Sequence, residues 1–144
     1  MQSKNADCLH NLYKNAHTAL ESISYVSKET DDPAMKEELS REYEAYESYA
    51  GKLAKEMLSR EIQPKEPNVF KKAMLWGSIK MNTLTDGSAS HVADMMIQGT
   101  TMGLTEVMTL LSENGKIVDE TIVCLAEELR DIESDHLERL KKYL

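Results

Sequence analysis

The stretch Asp119–Leu140, DETIVCLAEELRDIESDHLERL, decides the fold. Its apolar residues Ile122, Leu125, Ala126, Leu129, Ile132, Leu137 and Leu140 recur every three or four positions. At about 100° per residue that spacing paints one face of a helix. Glu133 and His136 fall inside the apolar arc, not opposite it. A carboxylate and an imidazole turned toward a core are costly unless they hydrogen-bond each other or hold a metal ion. The Glu-x-x-His spacing is also the one helical bundles use to present two ligands to one ion.

Upstream, the chain divides into further helical repeats with clear punctuation. Residues near 3–30 carry Leu9, Leu12, Ala16, Ala19, Leu20, Ile23 and Val26 in helical register. Asp32 reads as the N-cap and Pro33 as the first position of a second helix near 33–61. Its predicted apolar face is Met35, Leu39, Tyr43, Tyr46, Ala50, Leu53 and Met57. Pro64 and Pro67 mark a loop, and a shorter helix near 68–85 aligns Phe70, Ala73, Met74, Gly77, Met81 and Leu84. After Thr85-Asp86-Gly87-Ser88 comes a helix near 88–113, ended by Asn114-Gly115. The last helix covers about 119–143.

The helix near 88–113 has no charged residue between Asp94 and Glu106, so it is expected to be the most buried. Val92, Met96, Gly99, Gly103, Val107 and Leu110 share a face, and the Gly99-x-x-x-Gly103 pair predicts tight helix packing. Short turns after residues 30 and 114 predict two antiparallel hairpins, with 62–87 as the crossover between them. The chain reads as one all-α domain over 1–144, a four-helix bundle.

Composition narrows the function classes. A formal charge of −8 leaves no basic face for nucleic acid or an anionic membrane. No apolar run approaches the roughly 18 residues of a membrane span. The polar start MQSKNADCLH predicts no signal peptide, and isolated Cys8 and Cys124 predict reduced thiols, so the expected location is cytoplasmic. Clustered methionines (Met74, Met81, Met95, Met96, Met102, Met108) read as flexible core filling, not a Cu(I) array. No phosphate loop or nucleophile elbow is present.

His10, His17 and His91 each have a carboxylate at helical spacing but lie on polar faces, where surface pairing explains them. Glu106 differs, because it projects about the middle of the apolar arc of its helix, beside Met95, Met102 and Gly99. Antiparallel pairing across the turn at 114–119 brings it near Glu133 and His136. Glu106 is therefore expected to be buried. Two readings stay open for the trio: a metal site, or a structural Glu–His network reaching Tyr43 or Tyr46.

On these residues the chain resembles the ferritin-like superfamily, which includes the rubrerythrins and small bacterial bundle proteins. Members build a di-iron or di-manganese site from one Glu plus Glu-x-x-His, repeated in both halves. The resemblance implies that Glu106, Glu133 and His136 form one half. Glu47 would be the counterpart in the other half, with Glu21 as its partner. Ala50 stands where the second His belongs, and Glu21 faces solvent by periodicity. The implied function is a reduced or vestigial Glu/His metal site for iron or manganese, linked to metal handling or oxidants. The alternative is a non-catalytic helical module for self-association or partner binding, and a homo-oligomer stays open in either case.

Overall fold

The computed structural model describes residues 2–64 and 88–144. The shorter helix expected near 68–85, the crossover and Pro67 lie outside the described residues. Among the described residues four long helices make up the fold: α1 (Gln2–Glu29), α2 (Pro33–Ser59), α3 (Ala89–Asn114) and α4 (Glu120–Leu140). A short 3-10 turn, Lys141–Tyr143, closes the chain. No strand occurs among the described residues, and no helix there is long and apolar enough to cross a membrane.

The helix boundaries follow local chemistry. Asp32 is the N-cap of α2 as the sequence predicts: its Oδ2 accepts the Met35 backbone N–H at 2.8 Å, and Pro33 opens the helix. Ser88 caps α3 in the same way, accepting from His91 N–H. α3 stops at Asn114, but Gly115 keeps a right-handed φ of −57° and donates to Leu111 O, so no left-handed cap is used. Asp119 is the N-cap residue of α4 without a side-chain cap bond. Its carboxylate takes Arg60 Nη1 at 2.7 Å instead, and its N–H donates to Asn5 Oδ1 at 3.0 Å.

α1 packs along α2, and α3 along α4. Cross-links between α2 and α4 set their relative direction. Arg139 reaches Glu38, Glu133 meets Tyr46, Leu125 O accepts from Tyr49, and Asp119 meets Arg60. α2 therefore runs antiparallel to α4, and the C-termini of α2 and α3 share one end of the bundle.

The core between the four helices is aliphatic and thioether-rich. Leu9, Leu12, Leu39, Leu53, Ile122 and Leu129 are essentially inaccessible. Two expectations fail here. α2 is turned slightly from its predicted register, so Glu42 and Tyr49 point inward while Tyr43 is only half-buried. α3 is not wrapped on all sides either, because Thr101, Met102, Thr105 and Glu106 are exposed. Its lack of charge reflects a shallow cavity along one flank.

Candidate functional site: a buried acid, imidazole and phenol cluster

Midway along the bundle α2 and α4 put four titratable side chains into the core. Glu42 and Tyr46 lie one turn apart on α2, while Glu133 and His136 lie three apart on α4. Their exposures are 0%, 1%, 2% and 1%. Three residues along a helix correspond to about 60° of divergence and 4.5 Å of rise, so Glu133 and His136 leave α4 toward different neighbours. His136 points at α2, where its Nδ1 lies 3.7 Å from Glu42 Oε1. Glu133 accepts the Tyr46 hydroxyl on Oε2 at 3.0 Å. The Tyr46 ring also meets the His136 imidazole edge-on at 5.0 Å, so one tyrosine touches both α4 residues.

A charged clamp sits beside this cluster. The Glu38 carboxylate receives Arg41 Nη2 at 2.6 Å and Arg139 Nε at 3.1 Å. Burial pushes the Glu38 pKa up, but hydrogen bonds from Arg41, Glu42 and Arg139 outweigh it and hold the group below its usual range. Glu42 behaves oppositely. Burial first, then its hydrogen bond to Glu38 and the charge of Glu38, push it up to about 9. Glu42 is therefore a protonated acid at neutral pH, a donor to the ionised Glu38 one turn earlier.

The other members are neutral as well. Burial raises Glu133 to about 8 against the lowering hydrogen bond from Tyr46, with the Glu106 charge adding to the rise. Burial, then the Arg41 charge, lowers His136 to about 4. The 3.7 Å contact between Glu42 and His136 lies within ion-pair range, yet both groups shift toward their uncharged forms. Desolvation outweighs the attraction, and the contact is between neutral groups.

Among the described residues, four buried side-chain polar atoms have no hydrogen-bond partner when the carboxyls are taken as acceptors: both Glu42 carboxyl oxygens, Glu133 Oε1 and His136 Nδ1. Protonation gives Glu42 its donor bond to Glu38. The atoms facing His136 and beyond Glu133 stay unmatched, at a cost of about 1–3 kcal/mol for each group.

Glu133 Oε1 belongs to a residue on the floor of a cavity of about 250 Å³ between α1 and α3. Gly103 forms part of its wall, and any side chain there would have to displace the Glu133 carboxyl. A Cβ at that position would lie 2.6 Å from Glu133 Oε2 and 3.2 Å from Asn15 Oδ1. Asn15 uses the same gap, its Nδ2 donating to Gly103 O at 2.9 Å. Gly103 thus admits side chains from α1 and α4, not a neighbouring backbone.

The sequence-derived site is only half assembled. Glu133 and His136 are buried, and Tyr46 is the hydrogen-bond partner that the structural alternative anticipated. Glu106 is a correction. It is exposed, one residue and so about 100° from buried Val107, at the cavity mouth. It reaches Glu133 only through its charge. Glu47 is exposed too, about 100° from buried Tyr46. Glu42 is the residue the sequence reading missed. It lies seven residues after Met35 and three after Leu39, a spacing that places it in the buried stripe.

For iron or manganese the donor chemistry of Glu42, Glu133 and His136 is suitable, two oxygens and one nitrogen. Their directions are not. Glu42 faces His136, while Glu133 turns to Tyr46 and Gly103. Among the described residues no group of three or more His, Cys, Asp or Glu side chains is placed to hold a metal ion. Comparison of the chain with protein-family models, curated proteins and solved structures gives no match.

Proposed function

We propose that this protein is a non-catalytic, ferritin-like bundle that binds a small organic molecule, its interior Glu/His positions surviving as a neutral polar network. The observation that carries the reading is Glu133: nearly inaccessible, with Oε2 matched by Tyr46 and Oε1 unmatched, at the floor of the α1–α3 cavity. A mostly apolar cavity with a few convergent polar groups is the usual form of a small-molecule site. The helix directions support the ferritin-like part, since α2 ends and α3 begins at opposite ends of the bundle, as crossover-linked hairpins require.

The test is thermal denaturation of the full chain, purified without a metal-binding tag, against a library of small amines, alcohols and acids. A ligand of the folded state raises the melting temperature, by about 2.7 kcal/mol of stability at a hundred times its Kd. Ala19→Leu, which fills the cavity from α1, should abolish that rise. A library that shifts nothing, or shifts that survive Ala19→Leu, would overturn the reading.

A second reading rests on the unmatched Glu42 oxygens and His136 Nδ1. In it, iron(II) or manganese(II) would be held by Glu42 and His136, and Glu133 would have to leave Tyr46 and Gly103 to join them. Elemental analysis decides this one. Near-stoichiometric metal that is lost in His136→Ala, together with a melting temperature lowered by chelator, would support it over the first.

A further inference from the structure

We infer that the cavity between α1 and α3 is a site for a small organic amine, held by Glu133 at its floor. This rests on the binding reading above and names the ligand class.

Most polar groups at the cavity are already committed to neighbours within the protein. Tyr46 spends its hydroxyl proton on Glu133 Oε2. Asn15 Nδ2 donates to Gly103 O, and Ser22 Oγ to Thr18 O. At the mouth, Gln98 Nε2 donates to Asp94. Left to meet a ligand are Glu133 Oε1, buried without a partner in a carboxyl held in its acid form, and Asn15 Oδ1, turned to the same gap beside Gly103. A ligand basic enough to displace the Glu133 proton, and bringing N–H donors of its own, answers both.

Charge selects in the same direction. Two of the lining residues are carboxylic acids, Glu133 at the floor and Glu106 at the mouth, and no Lys, Arg or His lines the cavity among the described residues. A carboxylate ligand would meet the Glu106 charge at the mouth, and a neutral one would leave that charge unanswered. At neutral pH the amine arrives as an ammonium and Glu133 as a carboxylic acid, so binding releases the Glu133 proton to solvent and leaves an ammonium–carboxylate pair. Such charge-assisted bonds are about twice as strong as neutral ones.

The rest of the wall sets the ligand's body. Met95, Met96, Met102 and Ala19 offer an adaptable apolar surface, with Gly99 and Gly103 leaving room. A cavity of about 150 Å³ takes benzene, so this one, at about 250 Å³, suits a molecule of roughly ten non-hydrogen atoms. Phenethylamine has that size and carries one terminal amine.

Isothermal titration of the full chain with phenethylamine, 2-phenylethanol and 3-phenylpropionate tests the inference, with butylamine, benzylamine and cyclohexylamine as further amine probes. Phenethylamine should bind at least tenfold more tightly than the alcohol, and the propionate should not bind. Glu133→Gln should weaken amine binding at least tenfold while leaving the alcohol within threefold. Ala19→Leu, which leaves Glu133 intact, should abolish binding of both and serves as the check should Glu133→Gln fail to fold. Alcohol or propionate bound as well as the amine would overturn the amine assignment and leave the cavity a binding site. Amine binding that persists in Ala19→Leu would place the amine elsewhere, and an absence of binding by every probe would remove both the assignment and the binding reading.

Discussion

Replacing Glu42 by Gln should stabilise this protein increasingly as the pH rises. The side chain is 0% exposed, and its pKa is raised from 4.5 to about 9. A carboxyl whose folded pKa exceeds its unfolded value gives stability that is complete below the unfolded pKa and is lost as pH climbs toward the folded one. Between pH 5 and 7 the folded chain holds the Glu42 proton and the unfolded chain releases it. Two pH units at about 1.4 kcal/mol each amount to about 3 kcal/mol of stability that the wild type loses on this account. Glutamine has the same shape, does not titrate, and can still donate from its amide to Glu38. The stability of Glu42→Gln minus that of wild type should therefore grow by about 3 kcal/mol from pH 5 to 7. Urea denaturation at pH 5, 6, 7 and 8 measures it, the difference at each pH cancelling the common titration of surface carboxylates. A flat difference would refute the reasoning. A difference of the opposite sign would mean that Glu42 is ionised in the folded protein and matched by a cation.

Three further substitutions probe the cluster and its frame. Gly103→Ala drives the Glu133 carboxyl off its Tyr46 bond and should cost about 1–3 kcal/mol; the loss should be non-additive with Glu133→Ala in a double-mutant cycle. Tyr46→Phe leaves Glu133 Oε2 without its donor and should cost about 1–3 kcal/mol, mostly recovered in a Glu133→Leu background. Asp32→Ala removes the α2 cap and should lower stability by about 1 kcal/mol by chemical denaturation, without affecting amine binding.

The helices and their caps were legible because they are local. Asp32-Pro33 carries its own start signal, Asn114 ends its helix where the residues indicate, and the stripe on α4 identifies Glu133 and His136 as buried without reference to any partner. The site was less so, since it depends on helix rotation and on what faces each side chain. Choosing Tyr43 over Glu42 for the α2 stripe is a rotation of only one residue, about 100°, yet it hides the acid that faces His136. Glu106 failed for a related reason. Periodicity reads it as near the middle of an apolar arc shared with Met95, Gly99 and Met102, but that arc opens onto the cavity, where Gly99 and Gly103 supply no side chains to close it. No spacing rule reveals a cavity, which is set by residues from three other helices. The direction of each carboxyl, toward Tyr46 for Glu133 and toward His136 for Glu42, is likewise a tertiary property.

The central claim is that the interior acids are uncharged at neutral pH and that Glu133 gives up its proton on binding an amine, not a metal ion. Carbon-13 NMR of the side-chain carboxyls in glutamate-labelled full-length protein, titrated from pH 5 to 10 and assigned with Glu42→Gln and Glu133→Gln, tests it most directly. Glu133 should stay protonated at pH 7 and titrate near 8, and Glu42 should titrate near 9, with phenethylamine at pH 7 moving only the Glu133 signal to its carboxylate position. Both signals at the carboxylate position from pH 5 upward, unmoved by the amine, would contradict the claim and show a charged cluster that needs a bound cation.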